Sequence, residues 1–263
     1  MLRTRLWTAI VVLPATIAIV LFASATFFTG FIAILTAWGL YEIVAMTKAN
    51  ALETVIIAIA GGVPAIMLLL DSHSAILAPL VLATIVAMLL VVAYVARKGA
   101  EGVPHGRWFV TLGALWVGAL FPYFVLLRNY RGGIPIFILM LLLVVASDSG
   151  AYFVGRSLGR TKLLPRVSPN KTVEGAIGGL SACVGAGIIL RPLLAPQWSV
   201  GEAIILGIAV GLLAQFGDAA GSAFKRVCGV KDSGWIFPGH GGLLDRTCSL
   251  VFAATFTYYY LRH

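Results

Sequence analysis

Residues 134–164 read IPIFILMLLLVVASDSGAYFVGRSLGRTKLL. The first part is continuous oil. Asp148 then appears, and within a few residues the chain turns basic at Arg156, Arg160 and Lys162. About 20 apolar residues in helical form cross the hydrocarbon core of a bilayer. An aspartate at the end of such a run is costly and usually functional. The stretch therefore reads as a membrane helix over 134–154 that delivers a carboxylate to a polar surface.

The rest of the chain agrees. Of 263 residues, 60% are hydrophobic and 11% charged, against roughly 25% charged in soluble domains. The apolar runs are long and do not alternate, which argues against a β-barrel. The fold class expected is all-α: a polytopic integral membrane protein of about nine transmembrane helices with cytoplasmic polar loops. The candidate spans are 6–25, 27–47, 53–70, 75–96, 108–127, 134–154, 174–193, 201–218 and 247–261. The first has a basic start and no small-residue cleavage site followed by a soluble domain, so it reads as a retained helix rather than a removed signal peptide. Residues 1–133 form an N-terminal membrane region. Residues 134–263 form a C-terminal region carrying both polar motifs.

The net charge is +9. No aromatic–basic clusters of the RNA-binding kind accompany it, so the charge points to anionic lipid and anionic substrate and not to nucleic acid. With the N-terminus on the cytoplasmic side, Arg128, Arg131, Arg191 and Arg262 fall outside. The other 15 of the 19 Lys and Arg residues fall inside, as the positive-inside rule requires. The two longest polar segments, 155–173 and 219–246, then share the cytoplasmic side. Cys183, Cys228 and Cys248 make no CxxC pair and match no zinc spacing.

In the first segment Asp148 and Tyr152 lie one helical turn apart. SPNKTVEG, 168–175, reads as a helix start, with Ser168 or Thr172 as cap and Glu174 in the first turn. Backbone N–H groups there, with Lys171 and Lys162 nearby, suit a phosphate. The competing reading is a loop that grips lipid headgroups.

In the second segment a helix through Asp218 would stack Asp218, Ser222 and Lys225 or Arg226 along one side. Ala219, Ala220 and Gly221 would leave room there for a bulky ligand. KDSG, 231–234, signals a turn, and the glycines of PGHGG, 238–242, permit close backbone approach. Asp218 and Asp245 are hard oxygen ligands suited to Mg²⁺ shared with substrate phosphates. Lys225, Arg226, Lys231 and Arg246 neutralise phosphate charge. His240 fits a general acid/base, a phosphate donor or a loop histidine satisfied by backbone. Asp232 more often caps or pairs with a lysine than binds metal. Neither segment matches a Walker A loop or GxGxxG. The chemistry left is phosphoryl or nucleotidyl transfer.

The stretch SAFKRVCGVKDSGWIFPGHGGLLDRTCS, 222–249, resembles the signature of the phosphatidate cytidylyltransferase (CDP-diacylglycerol synthase) family, approximately S-x-x-K-R-x4-K-D-x-G-x4-P-G-H-G-G-x2-D-R-x-D. Ser222, Lys225, Arg226, Lys231, Asp232, Gly234, Pro238, Gly239, His240, Gly241, Gly242, Asp245 and Arg246 match it. The upstream DSGAYFVGRSLGRTKL, SPNKTVEG and QFGD are similar too. The N-terminal half matches in hydropathy alone. One position departs: Cys248 stands where the pattern has its last aspartate, and a neutral thiol is a poor Mg²⁺ ligand. The resemblance implies that CTP and phosphatidic acid give CDP-diacylglycerol and pyrophosphate in a bacterial inner membrane. It also implies Mg²⁺, a second cation such as K⁺, and a homodimer. The alternatives are a variant weakened at Cys248, the same chemistry on another lipid phosphate, or a transporter.

Overall fold

The computed structural model describes residues 14–70, 77–103, 106–236 and 241–262. Ten helices dominate: α1 over 14–22, then α2 (Ala25–Thr47), α3 (Ala51–Leu70), α4 (Leu77–Lys98), α5 (Arg107–Leu120), α6 (Tyr123–Asn129), α7 (Gly133–Leu158), α8 (Val173–Leu194), α9 (Val200–Val227) and α10 (Leu244–Arg262). Between α7 and α8 lie the short strands β1 (Lys162–Leu164) and β2 (Ser168–Thr172), paired antiparallel. The sequence reading has a plain loop there.

Among the described residues seven helices are long and apolar enough to cross a membrane. They correspond to the expected spans from 27–47 to 201–218, with α5 and α6 together forming one span, Arg107–Asn129. This makes the chain an all-α polytopic membrane protein. Of the first expected span, 6–25, residues before 14 lie outside the described residues. The ninth corresponds to α10, which has 19 residues but is not among the seven. Three threonines and three tyrosines dilute its apolar character. They are accommodated inside the bundle: Thr247, Thr255 and Thr257 donate to their own i−4 carbonyls at 3.0, 2.8 and 2.7 Å. Tyr259 Oη sits 2.8 Å from Tyr123 Oη.

Close helix approach sets the geometry around α9. A Cβ on Gly217 would lie 2.2 Å from the Cys248 carbonyl oxygen, and one on Gly221 would lie 3.1 Å from Cys248 Cβ. The i, i+4 glycines thus form a groove that receives α10, the small-residue packing common between membrane helices. This corrects the expectation that Gly221 leaves room for a ligand: α10 and Trp116 take that space.

Candidate active site

The C-terminal half of α7, the β1–β2 hairpin, the start of α8, the C-terminal half of α9 and the first turn of α10 enclose a cavity of about 880 Å³. Both polar segments identified in the sequence contribute to its wall. So do Asp148, Asp218 and Asp245 together, so the three aspartates share one site.

The start of α8 is built by local rules. Thr172 is extended, and its hydroxyl accepts from Gly175 N at 3.1 Å, the N-cap arrangement expected of threonine. Glu174, in the first turn, reaches back to Arg160 N at 3.0 Å and Thr161 N at 3.2 Å. This fixes the hairpin, and with it Lys171, over the cavity.

Each metal-type carboxylate is matched to a lysine from another element. Lys171 Nζ lies 2.5 Å from Asp218 Oδ2, and both side chains are partly exposed. Lys225 Nζ pairs with Asp245 Oδ1 in a drier setting, with the Asp245 side chain 5% exposed. The second oxygen of Asp245 accepts from Ser233 N at 2.7 Å, Ser233 Oγ at 3.0 Å and Gly242 N at 2.9 Å. Burial works against the charged form of Asp245. The Lys225 ammonium and these N–H groups outweigh it and hold the carboxyl below its ordinary value. Cys248 is buried, with Sγ 3.8 Å from Asp218 Oδ1.

Of the residues expected from sequence, Asp148, Lys171, Thr172, Asp218, Lys225, Asp232, Asp245 and Arg246 line the cavity. Lys162, Ser222, Arg226, Lys231, Gly241 and Gly242 are not in its wall. Arg226 Nε instead points to the Val167 carbonyl at 3.5 Å, which ties α9 to the hairpin. Gly242 supports Asp245 through its N–H. Gly241 has φ +80°, the left-handed conformation that favours glycine, and a Cβ there would meet Asp245 Oδ2 at 2.4 Å. His240 lies outside the described residues.

Sequence reasoning missed two contributors and one contact. The contact joins Tyr152 and Arg156, both named above: Arg156 donates to Tyr152 Oη at 2.8 Å, and both line the cavity, at an i, i+4 spacing that was a readable signal. Gln215 lines it too and donates to the Ala176 carbonyl at 3.0 Å, joining α9 to α8. Glu42 of α2 reaches Ser233, Leu243 and Leu244 from outside both polar segments, and no local signal marks it.

Among the described residues no group of three or more His, Cys, Asp or Glu side chains is placed to hold a metal ion. The donors at hand are two lysine-paired carboxylates on α9 and α10, with Cys248 in place of a third. Mg²⁺ is commonly held by one or two carboxylates together with substrate phosphates and water. The residues fit that shared mode and not an all-protein cage.

Comparison with known proteins gives the same direction. The sequence model of the family described as the cytidylyltransferase family matches residues 3–263. A phosphatidate cytidylyltransferase of Bacillus subtilis is 40% identical over 154 residues, 58% of this chain and 57% of that protein. Its counterpart in Synechocystis is 42% identical over 135 residues, 51% of this chain and 45% of that protein. An Escherichia coli protein called YnbB, described as uncharacterized, is 43% identical over 135 residues, 51% of this chain and 45% of that protein. The chain spans about half the length of the curated relatives it matches.

Proposed function

This chain belongs to the cytidylyltransferase family, and from that premise we propose that it makes CDP-diacylglycerol and pyrophosphate from CTP and phosphatidic acid. The observation that carries the reading is one cavity in which Asp218 and Asp245, each held by a lysine, stand beside Arg246, Lys171 and Lys225. Leu163 and Leu164 add an apolar wall to the same cavity, which suits a phosphate on a lipid.

A phosphatidate oxygen attacks the α-phosphorus of CTP. A P–O bond forms, the α–β phosphoanhydride breaks, and pyrophosphate leaves with the electron pair. No covalent enzyme intermediate is needed, so the protein contributes position and charge. Lys171, Lys225 and Arg246 offset the negative charge of the two substrates. The hairpin and the capped start of α8 fix Lys171, and Ser233 and Gly242 fix Asp245. Asp218 and Asp245 would hold Mg²⁺, which when bound would supply further neutralisation of negative charge. The positive charge in the loops supports a site on the cytoplasmic face of a bacterial inner membrane, where CTP is available.

The test is direct. Protein purified in detergent is supplied with CTP, phosphatidate and Mg²⁺, and pyrophosphate release is followed. Turnover that requires both substrates is expected. A folded protein with no turnover overturns the reading, and turnover on an isoprenoid phosphate in place of phosphatidate redirects it to another lipid.

A further inference from the structure

Glu42 is a carboxylate in α2, one of the seven apolar helices, and is 2% exposed. Buried carboxylates are rare unless paired, and an ionisable group in a membrane helix calls for an explanation. Glu42 accepts four hydrogen bonds. Its Oε1 takes Trp38 Nε1 at 3.2 Å and Leu243 N at 2.7 Å. Its Oε2 takes Ser233 Oγ at 2.8 Å and Leu244 N at 3.0 Å. Two of the four donors, Leu243 N and Leu244 N, lie at the start of α10, and a third comes from Ser233.

The first N–H groups of a helix have no intrahelical partner. A polar side chain just before the helix normally satisfies some of them. Here Leu243 precedes α10 and has none to offer. Glu42, about 200 residues earlier in the chain, supplies the missing acceptor from a different helix, and a carboxylate also complements the positive end of the helix dipole.

The surrounding glycines are shaped to this contact. A Cβ on Gly234 would lie 2.7 Å from Glu42 Oε1, and one on Gly242 would lie 2.4 Å from the same atom. One turn before Glu42, Gly39 packs tightly on α5, where an added Cβ would lie 3.0 Å from Val117 Cγ1. Ser233 is the hinge of the arrangement, since its Oγ lies within hydrogen-bond distance of both Glu42 Oε2 and Asp245 Oδ2.

We propose that Glu42 is a positioning residue for the transfer reaction: it caps α10 from α2 and so sets where Asp245 and Arg246 enter the cavity. The inference rests on the proposed function for its catalytic consequence, while the cap itself is independent of any substrate. It gives the N-terminal helices a part in a site whose cavity wall comes entirely from α7 onward.

The experiment compares wild type, Glu42→Gln and Gly234→Ala in detergent, reading kcat, KM for CTP and amide hydrogen exchange along the chain. Glu42→Gln turns one acceptor into a donor facing N–H groups. Gly234→Ala disturbs the clamp from the loop side and serves if the first variant does not fold. Expected in each is a fall in kcat of about 10–100-fold, since small misplacements at reacting centres cost that much. KM for CTP stays within about threefold. Exchange rises about tenfold at residues 241–246, the order expected for a lost hydrogen bond, while α7 and α8 keep wild-type protection. Unchanged kcat, unchanged exchange at 241–246, or faster exchange in all helices alike would each overturn the proposal. If the wild type turns over no CTP, the function fails alone, and the exchange profile still decides the cap.

Discussion

Cys248 Sγ lies 3.8 Å from Asp218 Oδ1, so the thiol and the carboxylate of two different helices face each other across the α9–α10 contact. The signature that residues 222–249 resemble has an aspartate where Cys248 stands. The thiol offers no oxygen ligand beside Asp218. It also spares the buried contact a second negative charge beside Asp218, which the proximity of like charges would penalise in the absence of a cation.

Cys248→Asp therefore tightens the demand for, and the grip on, a divalent cation. In pyrophosphate-release assays the Mg²⁺ concentration for half-maximal rate should fall several-fold relative to wild type. In chelator, the melting temperature of the variant should drop below wild type and recover when Mg²⁺ is added. An unchanged Mg²⁺ dependence would show that position 248 takes no part in cation binding. Exchanging K⁺ for Na⁺ in the same assays tests whether a second, monovalent cation contributes.

Asp218→Asn and Asp245→Asn should both abolish turnover, each by about 10²-fold or more, as removal of a preorganised charge at a reacting phosphate does. They should differ in stability. Asp218 is partly exposed and its pair with Lys171 is screened by water, so its loss should leave the melting temperature near wild type. Asp245 is nearly inaccessible, and asparagine there leaves the Lys225 ammonium without its counter-charge and the Ser233 and Gly242 N–H groups with a weaker acceptor at best. Breaking such a buried pair costs about 3–5 kcal/mol. Thermal melts in detergent read the contrast, and equal destabilisation by the two substitutions would refute it.

Much of this arrangement was legible because its causes are local. The run ending at Asp148 reads as a helix, and residues 168–175 read as a helix start capped by Ser168 or Thr172, of which the structure uses Thr172. Asp218 and Asp245 announced themselves as carboxylates beside cations. What stayed hidden depends on distant partners. The β1–β2 pair is three residues against five, too short for any alternating pattern. It is held by Glu174 rather than by strand propensity. The contact of Arg226 with the Val167 carbonyl was hidden too, because nothing in the sequence shows that Val167 lies beside it. Glu42 sits in an apolar helix, and three of its four partners are 191 to 202 residues away. The small residues Gly217 and Gly221 invite two readings, ligand space or helix contact, and tertiary packing alone decides between them.

That packing makes the last prediction. Gly217→Leu must displace α10, because even a Cβ at this position would come within 2.2 Å of the Cys248 backbone oxygen. Backbone cannot yield as a flexible side chain can. Overpacking of this kind costs about 1–3 kcal/mol, or more where relief is blocked. Because α10 carries Asp245 and Arg246, the same displacement should remove turnover. At Gly185 of α8 nothing lies within 4 Å of an added Cβ. Gly185→Ala should therefore leave both the melting temperature and the rate near wild type. If Gly217→Leu melts and turns over like Gly185→Ala, the close α9–α10 contact does not hold the site together.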